Sequence, residues 1–366
     1  MKDNGYTNVK INIVNFAEGE VDSKVTDWTA TGAPDIYAFA SDKTLSLVQN
    51  GALARVPSQY VNQMKADMTE GAIQSGSLGD NMYAYPYAGD NGYFLYINTK
   101  YVSVDKADSV EDIIAACAAA KLKFAYPLGE AFYSMAMLTT FGASYTVTMN
   151  DDYTDISTIT ATYDSEEGLL AAKGFKDLVT NPNVMVGDSK ILAAPTQANG
   201  IGAIVGGSWN SADFETQVKA EGGTLIAMKM PTITVDGKTE TLRSFLGYKL
   251  YGVNPLVSGD DTARLAFDHS LANYLVSETV QNNRFDTFKT APTNKKVAAS
   301  EKVTSNQYVK AINDQAQYAI PQTIVPQGLW NAPASLYSGV HSGEISTDDE
   351  LQEAMDALNT AVETAE

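Results

Sequence analysis

Two tryptophans are the side chains with the clearest capacity for ligand chemistry. Trp209 follows the loop sequence Gly206-Gly207-Ser208, and Trp330 follows Gln327-Gly328-Leu329, where a buried strand or helix would not place an indole. An indole offers a flat apolar face and one N–H donor. Such a face packs against apolar or weakly polar ligand surfaces, and the chain has 20 Tyr, 12 Phe and 3 Trp from which aromatic platforms can be built.

Histidine-based catalysis is a poor match to this sequence, which contains 2 histidines. We predict that His269 points away from the apolar stripe of its helix and that His341 lies in a Ser-Gly loop, so neither has the partners of a triad or a metal site. Asp90 and Glu130 are candidates for a glycosidase pair, whose carboxyl groups would lie about 5 to 9.5 Å apart. The sequence favours capture of a glycan over its cleavage, and a structural adhesion module is a third alternative.

Length and charge limit the range of partners. With 366 residues the chain can form two domains with a cleft between them. The 25 basic and 44 acidic residues give a net charge of −19, which argues against a nucleic-acid partner. Cys117 is the only cysteine, so the chain has no internal disulfide or thiolate cluster. Its place on the apolar face of a helix that begins after Ser109 makes it a packing residue.

Short apolar runs alternate with helical patterns, which predicts an α/β fold. Asp236-Gly237 is a hairpin signal, and Thr347 to Glu350 is a capping box that opens the last helix. The predicted strands are 9–16, 36–40, 124–127, 201–205, 224–228 and 246–253. The helix after Asp261 has a predicted apolar stripe of Ala263, Ala266, Phe267, Leu271, Tyr274 and Leu275. The last helix has a predicted stripe of Leu351, Met355, Leu358 and Val362. Trp28 is predicted to lie in the core with Val21 and Val25.

The aromatic segment 83–98 changes its pattern halfway. Tyr83, Tyr85 and Tyr87 alternate with small residues, whereas 93–97 is continuous and suited to burial on both faces. We interpret residues 88–92 as a bend between two strands that belong to different sheets. Similar glycine-punctuated or irregular stretches begin at residues 244 and 291, so the chain is predicted to cross between two domains several times. Multiple crossings are typical of a hinge above a binding cleft.

From about residue 9 to its C-terminus, the chain resembles the extracellular solute-binding proteins of ABC sugar importers, and among them the maltodextrin-binding branch. The resemblance depends on the order and spacing of several motifs. These are Thr31 to Lys43, Tyr85-Pro-Tyr-Ala-Gly-Asp90, Glu130-Ala-Phe-Tyr133, Gly206-Gly-Ser-Trp209, Phe245-Leu-Gly-Tyr-Lys-Leu250 and Gln327-Gly-Leu-Trp330. The chain departs from well-known members at Lys43, Asn331 and Met135, where those have Arg, Tyr and Trp.

The resemblance implies a two-lobe α/β fold in which both lobes contribute to the ligand site. It assigns sugar contacts to Phe39, Asp42, Lys43, Asp90, Glu130, Phe132, Tyr133, Trp209, Tyr248 and Trp330, and less directly to Asn91 and Asn331. Glu18 and Glu20 follow a predicted strand and are candidates for the rim of the site. The lobes are expected at 1–89 with 247–300 and at 92–244 with 305–366, and the hinge at 88–92, 244–248 and 300–306.

The same resemblance implies a malto-oligosaccharide ligand of three or more glucose units, no cofactor or metal, and delivery to an ABC permease by a monomeric protein. Members of the family work outside the cell, as lipoproteins or in the periplasm. This sequence shows no export signal, and it starts after the strand and helix with which the family begins. We therefore expect a longer natural precursor that carries a signal and a lipid anchor.

Overall fold

The structure is a computed structural model that describes residues 10–16, 20–27, 32–193 and 195–364. It confirms the predicted mixed α/β class. The strands are β1 (Ile36–Ala40), β2 (Ser77–Leu78), β3 (Asn81–Met82), β4 (Ala84–Asn98), β5 (Lys123–Ala125), β6 (Tyr145–Met149), β7 (Ile156–Ala161), β8 (Val184–Met185), β9 (Ile201–Gly207), β10 (Leu225–Met228), β11 (Thr232–Val235), β12 (Lys238–Thr241), β13 (Ser244–Val253) and β14 (Ala319–Pro321).

Helices fill most of the intervals between the strands. They are α1 (Val21–Asp27), α2 (Thr44–Gln49), α3 (Ser58–Asp67), α4 (Glu70–Ser75), α5 (Val110–Ala119), α6 (Ala131–Leu138), α7 (Glu166–Thr180), α8 (Ser211–Ala220), α9 (Pro255–Ser258), α10 (Thr262–Leu275), α11 (Glu278–Phe288), α12 (Lys295–Ala298), α13 (Glu301–Thr304), α14 (Gln307–Ala316), α15 (Gln327–Asn331), α16 (Pro333–Ser342) and α17 (Asp348–Glu363). Short 3₁₀ turns follow two strands, Ser41–Lys43 after β1 and Ser208–Asn210 after β9.

One sheet runs in the order β1-β13-β4-β9-β5-β8, with β10 also paired to β4 and β14 to β13. Strands β4 and β13 are long and antiparallel, and they connect the two ends of this sheet. At one end apolar clusters around Phe39 and Tyr85 cover the two faces, and at the other end larger clusters around Phe124 and Phe214 do the same. Each end of the sheet is therefore covered by helices on both sides.

The segment predicted as two strands with a bend is one strand of 15 residues, β4. Residues 84–92 pair with β13, whereas 93–97 pair with β9, so the change of pattern marks a change of partner and not a break. The prediction that 93–97 is buried on both faces is confirmed. Glycine is required at Gly92, because a Cβ there would lie 2.6 Å from the carbonyl oxygen of Phe245 on β13.

Several local predictions are confirmed. Asp236 and Gly237 both have positive φ, 48° and 81°, in a tight turn between β11 and β12. The Ser109 hydroxyl caps α5, and burial raises the pKa of the Cys117 thiol to about 12, as expected for a packing residue. The capping box of α17 forms, and its predicted apolar stripe is buried.

Further predictions about local structure are wrong. His341, predicted to lie in a Ser-Gly loop, lies in the last turn of α16 and stacks on Tyr337. Residues 10–16, the described part of the predicted strand 9–16, pair with no described strand, and Ile13 is 84% exposed. The predicted stripe of α10 is also displaced, since Ala263, Ala266 and Tyr274 are exposed. The face of this helix that packs on the sheet carries Leu265, His269, Ala272 and Val276. Polar side chains occupy core positions here, which an apolar pattern does not reveal. Trp28 lies outside the described residues.

His269 is therefore a core residue and not a solvent-facing one. It is 3% exposed, and its Nδ1 lies 2.8 Å from the Tyr85 hydroxyl, with which it shares a hydrogen bond. Burial lowers the pKa of His269 to about 4. The adjacent Asp268 is also buried, and burial, together with the charge of Asp35, raises the pKa of Asp268 to about 6.

Candidate ligand site

A chain of side-chain hydrogen bonds joins three segments at the middle of the sheet. The Asn91 amide on β4 donates to Gln322 Oε1 over 2.8 Å, and Gln322 Nε2 donates to Asp42 Oδ1 over 2.9 Å. Lys43 Nζ lies 3.6 Å from the other carboxylate oxygen of Asp42. Asp42, Asn91 and Gln322 are all buried. Gln322 thus joins two of the predicted site residues, Asp42 and Asn91, and a third, Lys43, lies beside the same Asp42 carboxylate.

Asp90 lies on β4 shortly before the point, between residues 92 and 93, where this strand changes its pairing partner. Its side chain is 2% exposed, and its Oδ2 accepts hydrogen bonds from the Ser208 hydroxyl at 2.5 Å and from the Ala291 backbone amide at 3.2 Å. Its Oδ1 is buried and has no hydrogen-bond partner within the part of the chain that the structure describes. This carboxylate oxygen is therefore still able to accept a hydrogen bond from a hydroxyl group of a ligand.

Trp209 lies directly after Ser208 in the 3₁₀ turn that follows β9. Its indole is 44% exposed and packs so closely on Gly207 that a Cβ there would lie 2.2 Å from the ring. Lys249 Nζ, from β13, lies 5.1 Å from the ring centroid, within the range of a cation–π contact. The Asp90–Ser208 hydrogen bond therefore places a buried carboxylate beside an exposed aromatic platform.

Tyr248 belongs to the same region. Its backbone amide donates to the Ser41 hydroxyl over 3.1 Å, and Ser41 precedes Asp42 in the turn after β1. The Tyr248 side chain lies against two glycines, because a Cβ at Gly71 would lie 2.3 Å from the Tyr248 hydroxyl oxygen and a Cβ at Gly89 would lie 3.1 Å from the ring. Burial raises the pKa of Tyr248.

Phe132 and Trp330 meet through a third aromatic residue. Phe245, which is fully buried on β13, stacks on Phe132 with ring centroids 5.8 Å apart and contacts Trp330 at 5.3 Å. Phe132 and Trp330 are only partly buried, so both present part of their rings beyond the core. Glu130 precedes α6, and its Oε1 accepts a hydrogen bond from the Ser189 backbone amide over 2.6 Å.

Other predicted site residues lie elsewhere. Phe39 is fully buried beside Tyr37 and Gly252, so its ring presents no face to a ligand and belongs to the core, because β1 turns alternate residues inward. Tyr133 is 2% exposed and packs on Tyr93 and Tyr126. Asn331 and Glu20 are exposed, and Glu18 lies outside the described residues.

A cavity of about 190 Å³ lies beside the turn that carries Asp42, on the side of Ser41 and Thr44. Tyr153, from the loop between β6 and β7, contributes to its wall and contacts the chain at Gly79. The same loop accepts hydrogen bonds from Gln49 at Thr154 and Asp155. The loop between β6 and β7 therefore contacts the end of the sheet to which β1 belongs.

Sequence reasoning did not identify Gln322, Ser208, Phe245 or Lys249 as site residues. Ser208, Phe245 and Lys249 lie inside the motifs of the resemblance, but the resemblance assigns them no ligand contact. Gln322 follows Ala319-Ile320-Pro321 in a short polar segment that has no composition signal of its own. Among the described residues, no group of three or more His, Cys, Asp and Glu is arranged to hold a metal ion. The side chains of this site can accept hydrogen bonds from hydroxyl groups and can stack on the apolar faces of a ligand.

Comparisons with known proteins agree with this architecture. The sequence model of the family described as bacterial extracellular solute-binding protein matches residues 1–311. None of the curated proteins matches the chain significantly. In the described residues, no helix combines the length and apolar character needed to cross a membrane.

Three solved structures illustrate the likeness. Maltodextrin binding protein MalE1 from L. casei BL23 is 20% identical, with a TM-score of 0.79 over 100% of this chain and 94% of its own. The GacH receptor of Streptomyces glaucescens, solved unliganded and with acarbose, is 19% identical, with a TM-score of 0.80 over 100% and 93%. The MalE domain from Bdellovibrio bacteriovorus bound to maltotriose is 16% identical, with a TM-score of 0.80 over 99% and 93%. At these identities the likeness establishes a shared two-lobe fold.

Proposed function

Because the chain belongs to the family of bacterial extracellular solute-binding proteins, we propose that it captures a linear α-1,4-glucan of at least three glucose units and delivers it to an ABC importer. The ligand binds in the cleft between two lobes that close around it. The proposed lobes are 1–89 with 247–300 and 92–244 with 305–366, with the hinge near 88–92, 244–248 and 300–306.

The observation that carries this proposal is the junction of Asp90, Ser208 and Trp209. One oxygen of the Asp90 carboxylate is buried without a partner in the described chain, and the other accepts a hydrogen bond from the Ser208 hydroxyl. Ser208 is followed directly by Trp209, whose indole is exposed. Hydrogen bonds that involve one ionised partner contribute about 1.5 to 3 kcal/mol each, and aromatic faces pack on the C–H face of a sugar ring. These two features together match a glycan better than a charged or wholly apolar solute.

Two further features support an oligomer as the ligand. Phe132, Trp209 and Trp330 offer more aromatic surface than one monosaccharide ring can cover. The similar structures named above carry maltodextrin, maltotriose or acarbose in their names, which makes an α-glucan the first ligand to test. We assign the ligand contacts to Asp42, Lys43, Asp90, Asn91, Glu130, Phe132, Trp209, Tyr248 and Trp330.

The family also supports the proposed setting. Extracellular solute-binding proteins work outside the cytoplasm, and we propose that this chain is held at the cell surface by a lipid anchor or resides in a periplasm, acting as a monomer on the permease subunits of its importer. The net charge of −19 keeps such a protein soluble and is unsuited to nucleic acid.

A glycan-cleaving enzyme is the second candidate, with Asp90 and Glu130 as its acid pair. The two carboxylates have separate protein partners, since Asp90 accepts from Ser208 and Ala291 whereas Glu130 accepts from the Ser189 amide. Both carboxylates therefore serve as hydrogen-bond acceptors for separate parts of the chain, which suits the binding of sugar hydroxyls.

The ligand class can be tested by calorimetric titration of one protein sample with glucose, maltotriose, cellotriose, xylotriose and a fructan. We expect maltotriose to bind at least about tenfold more tightly than glucose, about 1.4 kcal/mol, because each added ring gains a stacked face and hydroxyl contacts. Cellotriose, which is flat where an α-1,4-glucan is curled, should bind poorly. Preference for cellotriose, xylotriose or the fructan would replace the α-glucan while leaving the oligosaccharide class in place.

A further inference from the structure

Gln322 contacts each of the segments that meet at the middle of the sheet. Its backbone amide donates to the Leu246 carbonyl on β13 over 3.0 Å, and its backbone carbonyl accepts a hydrogen bond from the Ser41 hydroxyl. A Cβ added to Gly247 would lie 2.8 Å from Gln322 Oε1. The side chain is 4% exposed. The position of this amide is therefore determined by β13, by β4 and by the turn after β1 at once.

The hydrogen-bond partners also determine which way the amide faces. An ionised carboxylate only accepts hydrogen bonds, so the atom of Gln322 that faces Asp42 Oδ1 must be the NH₂ donor. The opposite atom then accepts from the Asn91 NH₂ group. A glutamine is neutral and offers one donor and one acceptor, and neither a carboxylate nor an apolar side chain of this length can make both bonds.

We infer that Gln322 is a positioning residue that holds the Asp42 carboxylate in its ligand-binding orientation and couples it to the hinge strand β4. With Oδ1 of Asp42 held by Gln322, Oδ2 is directed to Lys43. Asn91 follows Asp90, so the same chain of bonds connects the two carboxylates Asp42 and Asp90 through β4. Asp42 belongs to the proposed lobe 1–89 with 247–300 and Gln322 to the proposed lobe 92–244 with 305–366, so opening of the lobes separates the two side chains and makes the orientation of Asp42 dependent on closure.

The inference rests on the proposed function, and Gln322→Glu tests it with a readout that a merely structural role would not change. The variant places a second carboxyl group against Asp42, and two carboxyls at this separation share one proton. Among the described residues, the titratable groups that face Asp42 include Lys43 and Tyr145, and the pKa of Tyr145 is raised by burial and by the Asp42 charge. The shared proton raises the folded-state pKa of these two carboxyl groups. The hydrogen bond between them is therefore present at low pH and is lost as the pH rises through that folded-state pKa.

Maltotriose affinity and unfolding in urea should be measured at pH 5 and pH 8 for the wild type, Gln322→Glu, Gln322→Met and the exposed control Gln317→Glu. We expect Gln322→Glu to bind about 10- to 100-fold more weakly at pH 8 than at pH 5, since a charge-assisted hydrogen bond is replaced by repulsion. Gln322→Met should bind more weakly than wild type at both pH values with no pH dependence, and Gln317→Glu should behave as wild type.

Unfolding measured without ligand distinguishes failure of the proposed function from failure of the inference about Gln322. If the wild type binds no sugar, the proposed function fails, yet the stability of Gln322→Glu should still fall between pH 5 and pH 8 relative to wild type. Equal, pH-independent losses in Gln322→Glu and Gln322→Met would show that Gln322 only fills space. Wild-type affinity in both variants would also overturn the inference.

Discussion

In urea titrations at different pH values, Asp268→Asn should become more stable between pH 4 and pH 6.5, whereas His269→Gln should become less stable over the same range. His269 has a folded-state pKa of about 4, below its unfolded value of about 6.5, so its contribution to stability is complete above pH 6.5 and is lost as pH falls toward 4. Asp268 has a folded-state pKa of about 6, above its unfolded value of about 3.9, so its contribution is complete below pH 3.9 and is lost as pH rises through 6.

The two contributions oppose each other in the wild type, because these neighbours on α10 titrate in opposite senses over the same pH range. A difference of about 2 pH units between folded and unfolded pKa corresponds to about 3 kcal/mol. Each single variant removes one contribution and leaves the other. Between pH 4 and pH 6.5, the free energy of unfolding should therefore rise by about 3 kcal/mol in Asp268→Asn and fall by about 3 kcal/mol in His269→Gln. Parallel pH profiles for the two variants would contradict the burial of His269 against Tyr85.

Trp209→Ala should weaken binding of maltotriose by about 30- to 150-fold, or about 2 to 3 kcal/mol, from the apolar area that an indole and a sugar face bury together. The free energy of unfolding should barely change, because the indole is 44% exposed and lies outside the core. Calorimetry gives the affinity, and urea unfolding gives the stability. Phe288→Ala, which removes an aromatic ring that is 65% exposed on α11, is the matched control and should bind normally.

The variant Lys249→Ala tests whether the Trp209 indole contributes to ligand binding itself or only through its contact with Lys249. If Trp209 contributes only through its contact with Lys249, removing the lysine should reproduce the whole loss. A cation–π contact at a partly exposed site contributes about 0.5 to 1 kcal/mol, so we expect Lys249→Ala to lose no more than about fivefold in affinity. A Trp209→Ala variant that unfolds, or that binds as wild type does, would move this residue from the ligand site to the core.

The sequence predicted best those features that depend on a few neighbouring residues. The turn at Asp236-Gly237 and the capping box at Thr347 form as expected because the backbone angles and caps are set within four residues. The pattern change inside β4 was also detected, although its cause is a change of strand partner and not a bend. A single chain segment does not reveal which strands will flank it.

Features set by distant parts of the chain were predicted less well. His269 and Asp268 occupy core positions because Tyr85 and the sheet lie beneath α10, and an amphipathic pattern assigns polar residues to solvent. Phe39 matched a ligand-binding motif, yet the alternation along β1 turns it into the core. Gln322 is separated from Asp42 by 280 positions, so only the folded chain places the two side chains together.

The central claim, that the chain captures an oligosaccharide and releases it intact, is tested most directly by titrating maltotriose into the protein calorimetrically and then analysing the recovered sugar. We predict saturable binding of one maltotriose per chain and recovery of unaltered maltotriose after prolonged incubation. Appearance of glucose or maltose would establish a glycan-cleaving enzyme instead, and absence of saturable binding to any oligosaccharide would contradict the proposed function.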